Sequence, residues 1–139
     1  MKHYLLDANA FMFLIKKSNA KDVIGCLQDS MVLDLTYYEV GNAIWKESVL
    51  TKFLTPEDSK TLEKVVQTIL MNTDRITSEA VTFQKILEIA KNEKLSFYDS
   101  SYIYFAKEKD LKLITEDKQL KAKAQKYVDV QTITALLPP

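Results

Sequence analysis

Four acidic residues of this chain stand at or beside predicted helix starts, three of them just past a short apolar run, and that placement gives them a possible chemistry. Asp7 closes the run His3-Tyr4-Leu5-Leu6, Glu39 follows the run Met31 to Leu35, Asp99 opens a helix of its own, and Asp117 follows Leu111 to Ile114. A short apolar run bounded by turn-forming residues reads as a buried strand. Asp7 therefore sits at the carboxyl end of a strand, the edge at which open α/β sheets bind ligands. A carboxylate buried there is costly unless it is paired or bound to metal. If the strands are parallel, their carboxyl ends share one rim and the four acids converge, each raising the pKa of the others. Hard divalent cations such as Mg²⁺ or Mn²⁺, which prefer carboxylate and water oxygens, are the usual remedy. Such an ion also lowers the pKa of its bound water. The chain has only His3, at the edge of the first strand.

Each acid also has a structural reading. Thr36-Tyr37-Tyr38-Glu39 and Ser96-Phe97-Tyr98-Asp99 both have the form of a capping box. An acid in the first turn stabilises a helix by ~0.3–1 kcal/mol with no catalysis involved. Asp117 is open to the same account, whereas Asp7 is the hardest to explain that way. Asn42, three residues after Glu39 and on the same helical face, either supports the site or faces solvent. Asp34 interrupts the second apolar run with no evident role.

The elements that must position these residues follow from periodicity and caps. Asn9 is expected to cap a helix over Ala10 to Lys17, followed by a second over Ala20 to Leu27 and a strand over Met31 to Leu35. Thr36 then opens a helix to about Leu50. Thr55-Pro56-Glu57-Asp58 starts another, in which Leu62, Val65, Val66, Ile69 and Leu70 form an amphipathic stripe. Asp74 to Thr77 reads as a brief extended link and Ser78 to Lys91 as a helix. Ser96 opens a helix to about Glu108, Leu111 to Ile114 is a strand, Lys118 to Lys126 is helical, and Tyr127 to Val130 alternates as a last strand. Single short strands separated by helices imply right-handed crossovers and a parallel sheet with helices on both faces.

Composition narrows the class. A chain of 139 residues with 47% apolar content fits one domain, and 2 glycines and 3 prolines argue against a turn-rich all-β fold. Cys26 is the only cysteine, which excludes an intrachain disulfide and suits a reducing, cytoplasmic setting. No apolar run reaches the ~18 residues of a membrane span. The 19 basic and 19 acidic residues cancel, so nucleic-acid binding would need a local patch; Arg75 is the only arginine. Lys16, Lys17 and Lys46 lie on helices that start near the rim, and Phe11, Phe13, Tyr37, Tyr38 and Trp45 are more aromatics than two short helices need for a core. With Gly25 and Gly41 as the only glycines, a dinucleotide-binding turn after the first strand is excluded. An aspartyl-nucleophile phosphatase would want a second acid where Asn9 stands.

Four blocks in this order resemble the PIN-domain ribonucleases, and more narrowly the VapC-type toxins of toxin–antitoxin pairs: Leu5-Leu6-Asp7-Ala8-Asn9, Glu39-Val40-Gly41-Asn42-Ala43, Tyr98-Asp99-Ser100-Ser101-Tyr102 and Ile114-Thr115-Glu116-Asp117-Lys118-Gln119-Leu120. The resemblance implies an α/β, three-layer PIN-like domain over residues 1–139, with a short, mostly parallel central sheet flanked by helices. It also implies Mg²⁺- or Mn²⁺-dependent endonucleolytic cleavage of RNA. Asp7 and Asp99 would then be direct metal ligands, with Glu39 and Asp117 completing the site directly or through water. Asn9 and Thr115 match family positions that hold the carboxylates or contact phosphate. A cognate antitoxin and a homodimer would be the protein partners. The alternatives are a PIN nuclease of RNA maturation or decay, and a catalytically silent binding module that keeps the fold and uses the acids as caps.

Overall fold

A computed structural model describes residues 1–139. Its centre is a five-stranded sheet in the order β3-β2-β1-β4-β5. The strands are β1 (Tyr4–Leu6), β2 (Ser30–Leu33), β3 (Asp74–Ile76), β4 (Lys112–Ile114) and β5 (Val130–Gln131). Every pairing is parallel, with Leu5 opposite both Met31 and Leu113 and Leu6 opposite Ile114. The chain steps outward from β1 through β2 to β3, then returns to the other side of β1 for β4 and β5. The strand order thus reverses between β1 and β4, and a crevice opens beyond the carboxyl ends of strands at such a point.

Seven α-helices cover the two faces: α1 (Ala8–Lys17), α2 (Ala20–Gln28), α3 (Asp34–Trp45), α4 (Pro56–Met71), α5 (Phe83–Glu93), α6 (Phe97–Glu108) and α7 (Lys118–Ala124). Alternation along the strands assigns the layers, because successive side chains point to opposite faces. Leu5, Leu33, Ile76, Leu113 and Val130 pack with Ile86 of α5, Ile103 of α6 and Leu120 of α7. On the other face Leu6 and Ile114 pack with Leu14 of α1 and Val23 of α2, while Val32 packs with Phe11, Val40 and Val66 of α1, α3 and α4. The three-layer α/β arrangement expected from the sequence is what forms, with a sheet that is parallel throughout.

Several local expectations shift. Asp74–Ile76, expected as a link, is an edge strand paired with β2. The last strand lies at Val130–Gln131, later than the expected Tyr127 to Val130. Ala80–Thr82 forms a 3₁₀ turn before α5, so the expected helix from Ser78 begins properly only at Phe83. The α3 helix continues through a π-helical turn, Lys46–Leu50. The scarcity of glycine is felt at helix ends: Lys94, the C-cap of α5, adopts the left-handed conformation at φ 55°, usually a glycine's role. No helix is long and apolar enough to cross a membrane.

Candidate active site

Asp7 follows β1 directly and is only 5% exposed. It, and not Asn9, is the N-cap of α1: its Oδ1 accepts from the Ala10 backbone N–H at 2.8 Å. The helix begins at Ala8, two residues earlier than the hydrophobic pattern suggested, which leaves Asn9 exposed inside the first turn. The second oxygen of Asp7 accepts from the Thr115 hydroxyl. Thr115 is fully buried at the end of β4, next to β1, and its Oγ1 in turn accepts from the Asp117 N–H at 3.1 Å. Asp7 and Thr115 therefore meet across the point where the strand order reverses. Burial pushes the Asp7 carboxyl up to about 7, against the lowering effect of its bonds to Thr115 and Ala10, and the charges of Asp99 and Glu39 add to the rise.

Glu39 does not sit where the capping-box reading put it. The α3 helix starts at Asp34, and Thr36, expected as its N-cap, is its third residue, with the hydroxyl accepting from Leu33 N–H at 3.1 Å. Glu39 is consequently the sixth residue of the helix. The helix dipole acts on charges within the first turn, so the capping account of Glu39 fails. Its Oε1 accepts from the Tyr102 hydroxyl at 2.8 Å. Partial burial raises its carboxyl, the Tyr102 bond lowers it, and the charge of Asp99 raises it further.

Asp99 is the third residue of α6, as expected, with Ser96 capping the helix by accepting from Asp99 N–H at 3.0 Å. Its carboxyl is raised by burial first and then by the charge of Asp117, with Ser96 opposing both. Asp117 caps α7, its Oδ1 accepting from Gln119 and Leu120 N–H groups at 2.9 and 3.0 Å. The charges of Asp7, Glu39 and Asp99 thus act on one another, and that of Asp117 acts on Asp99. The molecule's ion pairs involve other acids: Asp74, Glu47, Asp129 and Glu93. In this conformation no three acids close around a single point. The donor set, hard oxygen throughout with no thiolate and no histidine, suits Mg²⁺ or Mn²⁺ and not a softer metal.

Asn42 is exposed and makes no hydrogen bond to the acids. It lies instead in a groove of about 1100 Å³ between α3 and α4, with Tyr37, Tyr38, Gln67 and Arg75. None of the four acids lines this groove, the groove between α2 and α4 around Ile24 and Val65, or the one around Val81 and Tyr104. Asp7 stands instead at the carboxyl end of β1, beyond which open α/β sheets bind ligands. Asp34 receives the explanation the sequence lacked: it accepts from both the N–H and the hydroxyl of Ser78, at 2.8 and 2.9 Å, and ties the segment after β3 to the start of α3. Lys16 is engaged by Glu47 at 2.6 Å. Of the surplus aromatics Phe11 is buried, whereas Phe13, Tyr37, Tyr38 and Trp45 are exposed. Tyr102, to which no sequence feature assigned a role, is 1% exposed and bonds both Glu39 and, at 2.7 Å, Thr36. The available signal was a phenol on a helix otherwise destined for the core, since a buried tyrosine hydroxyl needs a partner.

Comparison with known proteins gives a consistent picture. The family model described as PIN domain matches residues 4–126. Exonuclease VapC9 of Pyrobaculum aerophilum is 34% identical over 134 residues, covering 96% of this chain and 95% of the relative. Ribonuclease VapC3 of the same organism is 27% identical over 123 residues, covering 86% and 92%. Among solved structures, PAE2754 from Pyrobaculum aerophilum superposes with a TM-score of 0.82 at 28% identity, covering 97% of this chain and 93% of that one. FitAcB from Neisseria gonorrhoeae shares the fold, with a TM-score of 0.65 at 21% identity and coverage of 94% and 98%.

Proposed function

The chain belongs to the PIN domain family, and from that membership we propose that it is a divalent-metal-dependent nuclease that cuts RNA phosphodiester bonds internally, acting as the toxin of a toxin–antitoxin pair. The observation that carries this reading is Asp7: a carboxylate 5% exposed at the end of a central strand, raised by the charges of Glu39 and Asp99 and offered no cation by the protein itself. Such an arrangement is destabilising on its own and is relieved by a bound cation. The similarity to proteins named exonuclease and ribonuclease supports a hydrolase acting on nucleic acid.

In this mechanism Asp7 and Asp99 would hold Mg²⁺ or Mn²⁺, with Glu39 and Asp117 completing the set directly or through water. Bound there, such a cation would supply an activated water and offset charge on the phosphate. Thr115 fixes the rotamer of Asp7, keeping the carboxylate turned to the rim, and the Ala10 N–H holds its other oxygen. These bonds favour the ionised carboxylate that a metal ligand must be. Thr115 is thereby a positioning residue. The exposed Asn9, close to Asp7 in sequence, is the residue proposed to meet substrate phosphate. Asn42, in its separate groove, is left with contact to more distant nucleotides. The exposed Tyr37, Tyr38, Trp45 and Phe53 offer apolar surface for an antitoxin or a second copy of the chain.

The test is cleavage of matched linear RNA, covalently closed circular RNA and linear DNA by purified protein, with Mn²⁺, with Mg²⁺ and with chelator. The wild-type chain is expected to linearise the RNA circle only when metal is present, and Asp7→Asn and Asp99→Asn are expected to lose at least ~100-fold in rate. The name of the VapC9 relative favours a second reading, stepwise removal of terminal nucleotides. An exonuclease would degrade the linear RNA and spare the circle. Equal activity in chelator, or in both variants, would sink the metal-nuclease reading altogether.

A further inference from the structure

Two buried threonines just past strand ends do the same job by different routes. Thr115, after β4, accepts from a backbone N–H and donates straight to Asp7. Thr36, after β2, also accepts from a backbone N–H, that of Leu33. Its neighbour, however, is the hydroxyl of Tyr102 at 2.7 Å, and Tyr102 in turn is 2.8 Å from Glu39 Oε1. The proton inventory fixes the direction of this chain. A phenol has one hydrogen, and an ionised carboxylate only accepts, so Tyr102 donates to Glu39. The Thr36 hydroxyl must then donate to Tyr102, which is possible because the bond from Leu33 N–H uses only a lone pair of Thr36 and leaves its hydrogen free. The sequence Leu33 N–H to Thr36 to Tyr102 to Glu39 is one-way, with every hydrogen used.

We infer that this relay is a positioning device for Glu39, and that Tyr102 and Thr36 set the affinity of the site for its divalent cation. The inference rests on the metal-nuclease reading above. Its anchors are rigid: Thr36 is fully buried, Tyr102 is 1% exposed, and the relay starts from backbone at the end of a central strand. Tyr102 also lies one turn beyond Asp99 on α6, so the helix that carries one proposed ligand holds the side chain of another, on α3. With Oε1 occupied by the phenol, Oε2 of Glu39 carries no protein hydrogen bond and is the oxygen left for a cation. An unsupported glutamate has three rotatable bonds to freeze on binding, and partners that orient a ligating carboxylate commonly carry about 10–100-fold in metal affinity.

The experiment is Mn²⁺ titration of the purified chain, followed by electron paramagnetic resonance of free Mn²⁺, which needs no substrate and no turnover. Tyr102→Phe, which keeps the ring in the core, is expected to weaken Mn²⁺ binding about 10–100-fold. Thr36→Val is expected to weaken it in the same direction, and Thr36→Ser, which restores the hydroxyl, to bring it back. Melting in chelator identifies any variant that fails to fold, and the Thr36→Val and Thr36→Ser pair then carries the test. The decisive arm repeats Tyr102→Phe in a Glu39→Gln background. A residue acting through Glu39 has little left to change there, whereas a general structural role weakens binding equally in both backgrounds. An equal loss in both, or an unchanged Kd in Tyr102→Phe while the wild type binds Mn²⁺, overturns the relay alone. Failure of the wild type to bind Mn²⁺ overturns the metal reading and the relay with it.

Discussion

Asp7→Asn should make the metal-free protein more stable at pH 8 and slightly less stable near pH 4. The folded-state carboxyl is raised to about 7 from 3.8, chiefly by burial. Below the unfolded value the folded protein holds a neutral Asp7 at no electrostatic cost. As pH rises towards 7 the unfolded chain releases its proton first, so stability falls, and above about 7 the loss is complete. At about 1.4 kcal/mol per tenfold change in the protonation equilibrium, the ionised carboxyl costs the folded state about 4 kcal/mol at pH 8. Asparagine removes that cost and keeps the bond from Ala10 N–H through its own oxygen. Its amide nitrogen, however, turns a donor towards the Thr115 hydroxyl, which loses its acceptor at a cost of about 1 kcal/mol. The net gain is about 3 kcal/mol at pH 8, or about 8 °C in melting temperature for a domain of this size. The gain should vanish near about pH 4.5 and reverse below it. Thermal unfolding of both proteins in chelator across pH 4 to 8 measures this directly. A rise of equal size at every pH, or no rise at pH 8, would refute the claim that Asp7 is a buried, uncompensated charge.

Two further outcomes follow from other sites. Thr115→Val should destabilise the fold by about 1–3 kcal/mol, because the N–H of Asp117 and the carboxylate of Asp7 both lose a partner, whereas Thr115→Ser should stay close to wild type in urea unfolding. Lys94→Gly should raise the melting temperature by a few degrees, since a non-glycine residue held at φ 55° costs about 1 kcal/mol; a lowered melting temperature would mean that the lysine side chain contributes more than its backbone costs.

Much of the architecture is legible in local sequence because its causes are local. Leu5-Leu6 alternates with the pleat, Thr55-Pro56 caps and starts a helix, Ser96 caps another, and Asp117 caps a third, all within a few residues of the element they specify. At two helix starts the local cap signal failed. Asn9 and Thr36 are both good caps by type, yet the helices begin earlier: Asp7, directly after β1, caps α1, and β2 ends at Leu33, two residues before the apolar run does, so that α3 opens at Asp34. The edge strand at Asp74–Ile76 was too short and too polar to announce itself; pairing with β2 and the grip of Asp34 on Ser78 make it a strand.

What the sequence determines by itself is the βα alternation and hence the edge towards which strand direction carries Asp7, Glu39 and Asp117; Asp99 opens α6 directly after α5 and follows no strand, so its place depends on how that helix packs. Only the tertiary structure decides which of them are more than caps. Thr115 reaches Asp7 across 108 residues of chain, and Tyr102 reaches Glu39 across 63 and Thr36 across 66. No spacing rule links partners so far apart. They meet because β4 lies beside β1 and α6 packs against the same sheet, and burial at that junction removes the water that would otherwise have satisfied each carboxylate.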